Sequence, residues 1–171
     1  FHQPRAVLID TDTLATLAPV EIASGLAECV KHGVIRDAEL LDWIASHADT
    51  LRCGDGDSLA ELIARNVAIK AAVVAADERE AGERAHLNFG HTIGHAVEAV
   101  SDGKRMHGEC VALGMLSMSS DAVRDILRPL FVSWGLPCTI DVRPCDLLRY
   151  IREDKKAIGE RLKVVYCNKI G

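Results

Sequence analysis

The chain has 171 residues, 49% of them hydrophobic and 26% charged, which fits one globular domain with a core and excludes a disordered or low-complexity segment. Lys and Arg number 20 against 25 Asp and Glu, a formal charge of -5, and no basic block is longer than a pair, so a nucleic-acid footprint is missing. Apolar stretches such as 71–76 and 111–116 fall far short of the roughly 18 residues that a membrane span needs, and a soluble protein with no membrane partner is expected.

Arg5 to Asp10 is a short β-branched apolar run ended by Thr-Asp-Thr, the pattern of a buried strand. Pro19 suits a first helical position, and Ile22, Leu26, Cys29 and Val30 then make one apolar face that Gly33 is expected to stop. Asp37 can cap a second helix carrying Leu40, Leu41 and Ile44. After the Gly- and Asp-rich stretch from Cys53, Asp57 or Ser58 is expected to cap the longest helix, with a stripe of Leu59, Leu62, Ile63, Val67, Val73 and Val74.

Further helices are expected over 89–100, 109–117, 121–132 and 145–152, with Pro129 a kink and Gly135-Leu-Pro and Arg143-Pro as breaks. Leu162 to Cys167 is the second strand-like run. No internal repeat or long linker divides the chain. The expected fold is therefore mostly α, a multi-helical domain over residues 1–171 with a minor short strand pair.

Six cysteines, Cys29, Cys53, Cys110, Cys138, Cys145 and Cys167, contain no C-x-x-C pair that would suggest a zinc ribbon or thioredoxin-type site. A chain this long and apolar needs no disulfide staples, and no signal peptide precedes it, so a reducing cytosol is expected. The chain opens on Phe1 and ends at Gly171 just after a strand-like run, as expected of a piece of something longer.

The first unusual feature is Asn88-Phe-Gly-His91-Thr-Ile-Gly-His95-Ala. Two imidazoles at i and i+4 share one helical face and can converge on a small target, which is ligand or acid/base geometry. Gly90 and Gly94 each cost about 1 kcal/mol relative to Ala in a helix, so something must approach the backbone closely. His107 stands just before another apolar helix. Glu28 lies mid-helix among Leu26, Ala27, Cys29 and Val30, where a carboxylate needs a partner if buried; Lys31, at i+3, can be a solvated partner. Lys70 interrupts an apolar run, either snorkelling or facing a cleft, and the charge run from Asp77 to Arg84 is either a solvated helix end or a polar rim. Two His and one carboxylate from three segments form the ligand set of a catalytic Zn²⁺ site with an open position. Lys31, Lys70, Arg84, Lys155 and Lys156 could supply cations for an anionic substrate.

Taken in order, Pro4 to Leu14, Gly25-Leu-Ala-Glu28-Cys-Val-Lys31-His-Gly33, Ile69-Lys70-Ala-Ala-Val-Val, Asp77-Glu-Arg-Glu80-Ala-Gly, the Asn88 to Ala96 block, His107-Gly-Glu-Cys-Val-Ala-Leu-Gly114 and Asp154-Lys-Lys156 resemble the 3-dehydroquinate synthase family. The resemblance runs from the first residues to the last. It implies a C-terminal helical domain whose Zn²⁺ (or Co²⁺) ligands are Glu28, His91 and His107. Lys31, Lys70, Arg84, Leu87, Asn88, His95 and one of Lys155 or Lys156 would line the substrate site, and Glu80 and His95 would serve proton transfer.

The family's activity is that of a carbon–oxygen lyase, converting the sugar acid phosphate DAHP to 3-dehydroquinate and phosphate in the shikimate pathway of aromatic amino acid biosynthesis. The resemblance implies a cytoplasmic homodimer using NAD⁺. The family's N-terminal NAD-binding domain has no counterpart in this chain, which contains no G-x-G-x-x-G, so the chain alone is expected to be inactive. The alternatives are a related sugar-phosphate cyclase of the 2-deoxy-scyllo-inosose or valiolone kind, a metal-dependent glycerol dehydrogenase relative in which both His91 and His95 would bind metal, and a metal-free helical interaction domain. Arg84 and Asn88 favour dehydroquinate synthase over the related cyclases.

Overall fold

The computed structural model describes residues 5–77, 82–155 and 164–171. Helix dominates, with eight α-helices among the described residues: α1 Pro19–Arg36, α2 Ala38–Ser46, α3 Ala48–Arg52, α4 Gly56–Ala76, α5 His91–Ser101, α6 His107–Ser117, α7 Asp121–Ser133 and α8 Pro144–Lys155. Two 3-10 turns, Thr11–Thr16 and Glu83–Asn88, complete the set. The mostly α expectation therefore holds.

Helix starts are set by local chemistry. Pro19 opens α1 while the Glu21 carboxylate accepts from the Ala18 N–H at 2.8 Å, satisfying a donor that the helix leaves unpaired. Asp37 caps α2 through the Leu40 N–H, as its position suggests. For α4 the cap is Asp55, whose side chain accepts from the Ser58 N–H, rather than Asp57 or Ser58. Both of those lie inside the first turn.

Gly33 does not stop α1, which continues to Arg36. A Cβ at Gly33 would lie 3.1 Å from the Leu41 backbone and Cβ, so its small size serves the packing of α1 against α2. The stripe of α4 also differs: Leu59, Leu62, Asn66 and Val73 are buried while Val67 is exposed. Helix α3, which the sequence reading left unassigned, is a single turn pinned by Leu51 in the core.

The strand expectation is the main departure. Residues 5–10 are extended but exposed, with Leu8 at 96%, and pair with nothing among the described residues. The 164–167 stretch contributes one parallel bridge, Ser119 to Cys167. Among the described residues no ladder joins the two runs, and Leu162 and Lys163 of the second lie outside them.

The main core gathers α1, α2, α4, α6 and α7 around Val30, Leu40, Ile44, Leu62, Met115, Leu127 and Phe131. A smaller core of Val97, Cys110 and Leu113, packed by Leu147, lies beneath α5 and α8. Helix α6 is buried from Gly108 through Leu116 apart from the partly buried Glu109, as expected of a helix apolar on all sides. It packs against both α1 and α5. Among the described residues no helix is long and apolar enough to cross a membrane.

Candidate metal centre

Two close approaches build the site. A Cβ on Gly108 would overlap the Ser24 carbonyl, and one on Gly114 would overlap the Gly90 carbonyl. The start of α6 therefore rests on α1, and its middle rests on the start of α5. The Gly108 N–H donates to Ser24 Oγ at 2.9 Å, fixing the same junction. Gly90 itself has φ +78°, a left-handed conformation that favours glycine. The close approach expected at Gly90 and Gly94 is thus made by α6 rather than by a ligand.

These contacts put His91 and His107, the first residues of α5 and α6, beside Glu28 in the middle of α1. Glu28 Oε1 lies 3.3 Å from His91 Nε2 and 3.2 Å from His107 Nε2. Its other oxygen accepts from Lys31 Nζ at 2.6 Å. Lys31 is buried, with its side chain only 6% exposed, so the pair is not surface decoration. Burial pushes the Glu28 carboxyl up, but a doubly protonated His91 ring and the Lys31 ammonium outweigh it and hold it well below the usual carboxylate range.

The proton positions follow from the partners. His91 Nδ1 lies 3.1 Å from the Phe89 carbonyl oxygen, which can only accept, so Nδ1 carries the proton. His107 Nδ1 lies 3.0 Å from Glu98 Oε2 and carries one for the same reason. In the neutral rings both Nε2 atoms are then lone pairs. They face Glu28 Oε1, a buried oxygen with no hydrogen-bond donor among the described residues. Three electron-rich atoms converging in this way repel one another unless a second ring proton or a cation lies among them, and the donor set suits a divalent cation such as Zn²⁺.

His95, one turn along α5 from His91, is more exposed. Its ring nitrogen comes within 4.8 Å of the ring nitrogens of His91 and His107. His95 also lines a cavity of about 210 Å³ between α5 and α8, with Thr92, Ala96, Ala99, Tyr150 and Ile151. It thus borders both the cluster and the open space next to it.

The remaining expected site residues are spread around this corner. Lys70 is exposed on α4, and the charges of Lys70, Lys31 and Glu28 all act on His32 of α1. Arg84, Leu87 and Asn88 lie on the Glu83–Asn88 turn. That turn is anchored because Asp77 accepts from the Gly82 and Arg84 N–H groups and Arg36 pairs with Glu83 at 2.7 Å. Lys155 ends α8. Glu80 and Lys156 lie outside the described residues.

Glu98, whose carboxylate meets His107 Nδ1, is the residue of this corner that the sequence reading missed. It stands seven residues after His91, which places both on one face of a helix, and that spacing is the signal that could have found it.

The family model described as 3-dehydroquinate synthase C-terminal matches residues 25–157. The chain belongs to the 3-dehydroquinate synthase family. Over the full chain it is 44% identical to a 3-dehydroquinate synthase of Halorhodospira halophila, of which it covers 51%, and 46% identical to that of Pseudomonas fluorescens, of which it covers 50%. The chain therefore spans about half the length of these curated relatives. A solved 2-epi-5-epi-valiolone synthase from Streptomyces hygroscopicus, with NAD⁺ and Zn²⁺ bound, superposes with a TM-score of 0.80 at 26% identity, covering 95% of this chain and 48% of that one. The Asn88 to Ala96 block and Glu28-Cys-Val-Lys31, two of the segments on which the family resemblance rests, meet in this corner.

Proposed function

We propose that this chain is the metal- and substrate-binding part of a 3-dehydroquinate synthase, which converts DAHP to 3-dehydroquinate and phosphate. The observation that carries the reading is Glu28 Oε1, buried without a donor and faced by His91 Nε2 and His107 Nε2. These three residues would hold Zn²⁺ or Co²⁺. Such an ion supplies Lewis acidity, polarising a carbonyl and lowering the pKa of a coordinated alcohol.

The other residues bind and orient. Lys31 neutralises the far oxygen of Glu28 and brings positive charge to the substrate side. Lys70, Arg84, Asn88 and one of Lys155 or Lys156 would hold the carboxylate and phosphate of the substrate, with Leu87 as an apolar wall. Orientation of this kind supplies several kcal/mol of barrier lowering, up to about 7–11 in well-aligned systems. His95 would hydrogen-bond the phosphate from the wall of its cavity and, with Glu80, move protons. NAD⁺ would be held mainly by a dinucleotide-binding domain in the other half of the enzyme, and the full-length protein would act as a cytoplasmic homodimer.

The relatives' shared name, together with Arg84 and Asn88, favours dehydroquinate synthase over a valiolone-type cyclase. Phosphate release from DAHP with added NAD⁺ and Zn²⁺ tests the reading, with this chain run beside a protein that joins it to a dinucleotide-binding half. The joined protein should turn over while this chain only binds substrate weakly, because the hydride carrier is a cofactor. Comparable turnover by the short chain would overturn the division of labour. A joined protein that binds zinc but leaves DAHP untouched would move the reading to the related cyclases.

A further inference from the structure

The two histidines that face Glu28 are held by different means. The His91 ring is fixed through Nδ1 by a backbone carbonyl, that of Phe89, two residues back in the chain. Among the described residues His107 has no such backbone partner for Nδ1. Its side chain is 44% exposed, and Nδ1 instead contacts the Glu98 carboxylate of the neighbouring helix α5, at 3.0 Å. We propose that Glu98 is a positioning residue of the metal centre: it holds His107 with the proton on Nδ1 and the Nε2 lone pair turned to Glu28.

The geometry separates this role from two others. Glu98 Oε2 contacts the nitrogen on the far side of the ring from Nε2, so it cannot share an ion with that nitrogen and is not a further ligand. As a plain ion pair between half-exposed groups it would contribute little to stability. Its effect on a ligand is larger than that, because the hydrogen bond at one ring nitrogen decides which tautomer the ring adopts and where it points. Without Glu98 the ring is free to rotate about χ1 and χ2 and to carry its proton on Nε2, which would remove the donor from the site.

The chain also joins its helices through this contact. Glu28 is on α1, His107 on α6 and Glu98 on α5, so one carboxylate on α5 governs how the α6 ligand meets the α1 ligand. His91 on the same helix reaches Glu28 directly, and Glu98 stands two turns further along on the same face.

This inference rests on the metal-site reading above, and the test separates the two. Zn²⁺ affinity is measured by competition with a chromophoric chelator for the parent, Glu98→Ala, Glu98→Gln and His107→Ala, with thermal unfolding of each metal-free protein. The ¹⁵N shifts of the His107 ring are recorded for the metal-free parent. Glu98→Ala should weaken Zn²⁺ binding 10- to 100-fold with little change in melting temperature. Glu98→Gln, which keeps an acceptor for Nδ1–H, should retain most of the affinity. The parent's ring should show a protonated Nδ1 and a bare Nε2. Parent-like affinity in Glu98→Ala, beside loss in His107→Ala, would overturn the role of Glu98 alone. A parent ring protonated on Nε2 with a bare Nδ1 would also overturn it, even if Glu98→Ala failed to fold. Parent-like affinity in His107→Ala would instead overturn the metal-site reading.

Discussion

Around Glu28 three helices touch backbone to backbone, whereas around Lys70 a single helix stands half clear of its neighbours. In the first region Gly108 meets Ser24 and Gly114 meets Gly90, and the donor atoms are placed by elements that cannot slide without collision. In the second, Val67, Ala68, Lys70, Ala71 and Ala72 of α4 are all exposed, and Arg84 and Asn88 sit on a short turn. The metal corner is built into the packing. The cations proposed to hold the substrate are carried on surfaces and element ends, where a long side chain could adjust to what it binds. The difference suits the chemistry, since a metal centre tolerates little error in ligand position while an anion can be met by a flexible ammonium.

Substituting the corner's glycines is the most severe way to break this comparison. Gly114→Ala forces a methyl into the Gly90 carbonyl and should cost on the order of 4 kcal/mol or prevent folding, measured by urea unfolding. A loss below about 1 kcal/mol would show that α5 and α6 can separate at no great cost. Gly25→Ala is the matched control. Gly25 is exposed within α1 and a Cβ there meets nothing within 4 Å, so helix propensity alone should raise stability by about 0.5–1 kcal/mol. A destabilised Gly25→Ala would mean that α1 is constrained there in a way the packing does not show.

Acid sharpens the same contrast. The native Glu28 carboxyl is held below its ordinary value of 4.5, so the stability it contributes is fully present above about that pH and is lost as the pH falls toward the depressed native value. The melting-temperature advantage of the parent over Glu28→Gln should therefore shrink between pH 6 and pH 3. A constant difference would contradict the pairing of Glu28 with Lys31 and with a doubly protonated His91. On the rim, Lys70→Ala should change stability by no more than about 0.5 kcal/mol, because the ammonium is exposed.

Thiol labelling gives the smallest effect and maps burial directly. Burial pushes the Cys110 thiol up to about 11, so it should stay protonated and unreactive at pH 8. Cys53 and Cys145 are exposed and should react at once. Rapid labelling of Cys110 in the folded protein would mean that the α5–α6 seam opens readily.

Much of this was legible in the chain because the signals are local. Asp37 as a cap, Pro19 at a helix start and the i, i+4 spacing of His91 and His95 need only neighbouring residues. The convergence of Glu28, His91 and His107 was implied by family resemblance, since spacing along a helix says nothing about which helices meet. Gly33 misled because a glycine near a helix end satisfies the pattern of a stop, while its actual role depends on Leu41 across an interface. The Arg5–Asp10 run meets every local rule for a strand, but a strand also needs a neighbour to receive its hydrogen bonds, and none of the described residues offers one. Glu98 went unseen because it matters only through the ring of His107, on a different helix.

The central claim is that Glu28, His91 and His107 hold the ion and that His95 does not. A zinc-loaded crystal structure, with the ion located by its anomalous signal, tests it most directly. The account predicts His91 Nε2 and His107 Nε2 at about 2.0–2.1 Å and Glu28 Oε1 at about 2.0–2.2 Å from the ion, with His95 turned to the cavity beside α8. An ion bound by His91, His95 and His107, with Glu28 still paired to Lys31 and outside the coordination sphere, would contradict it.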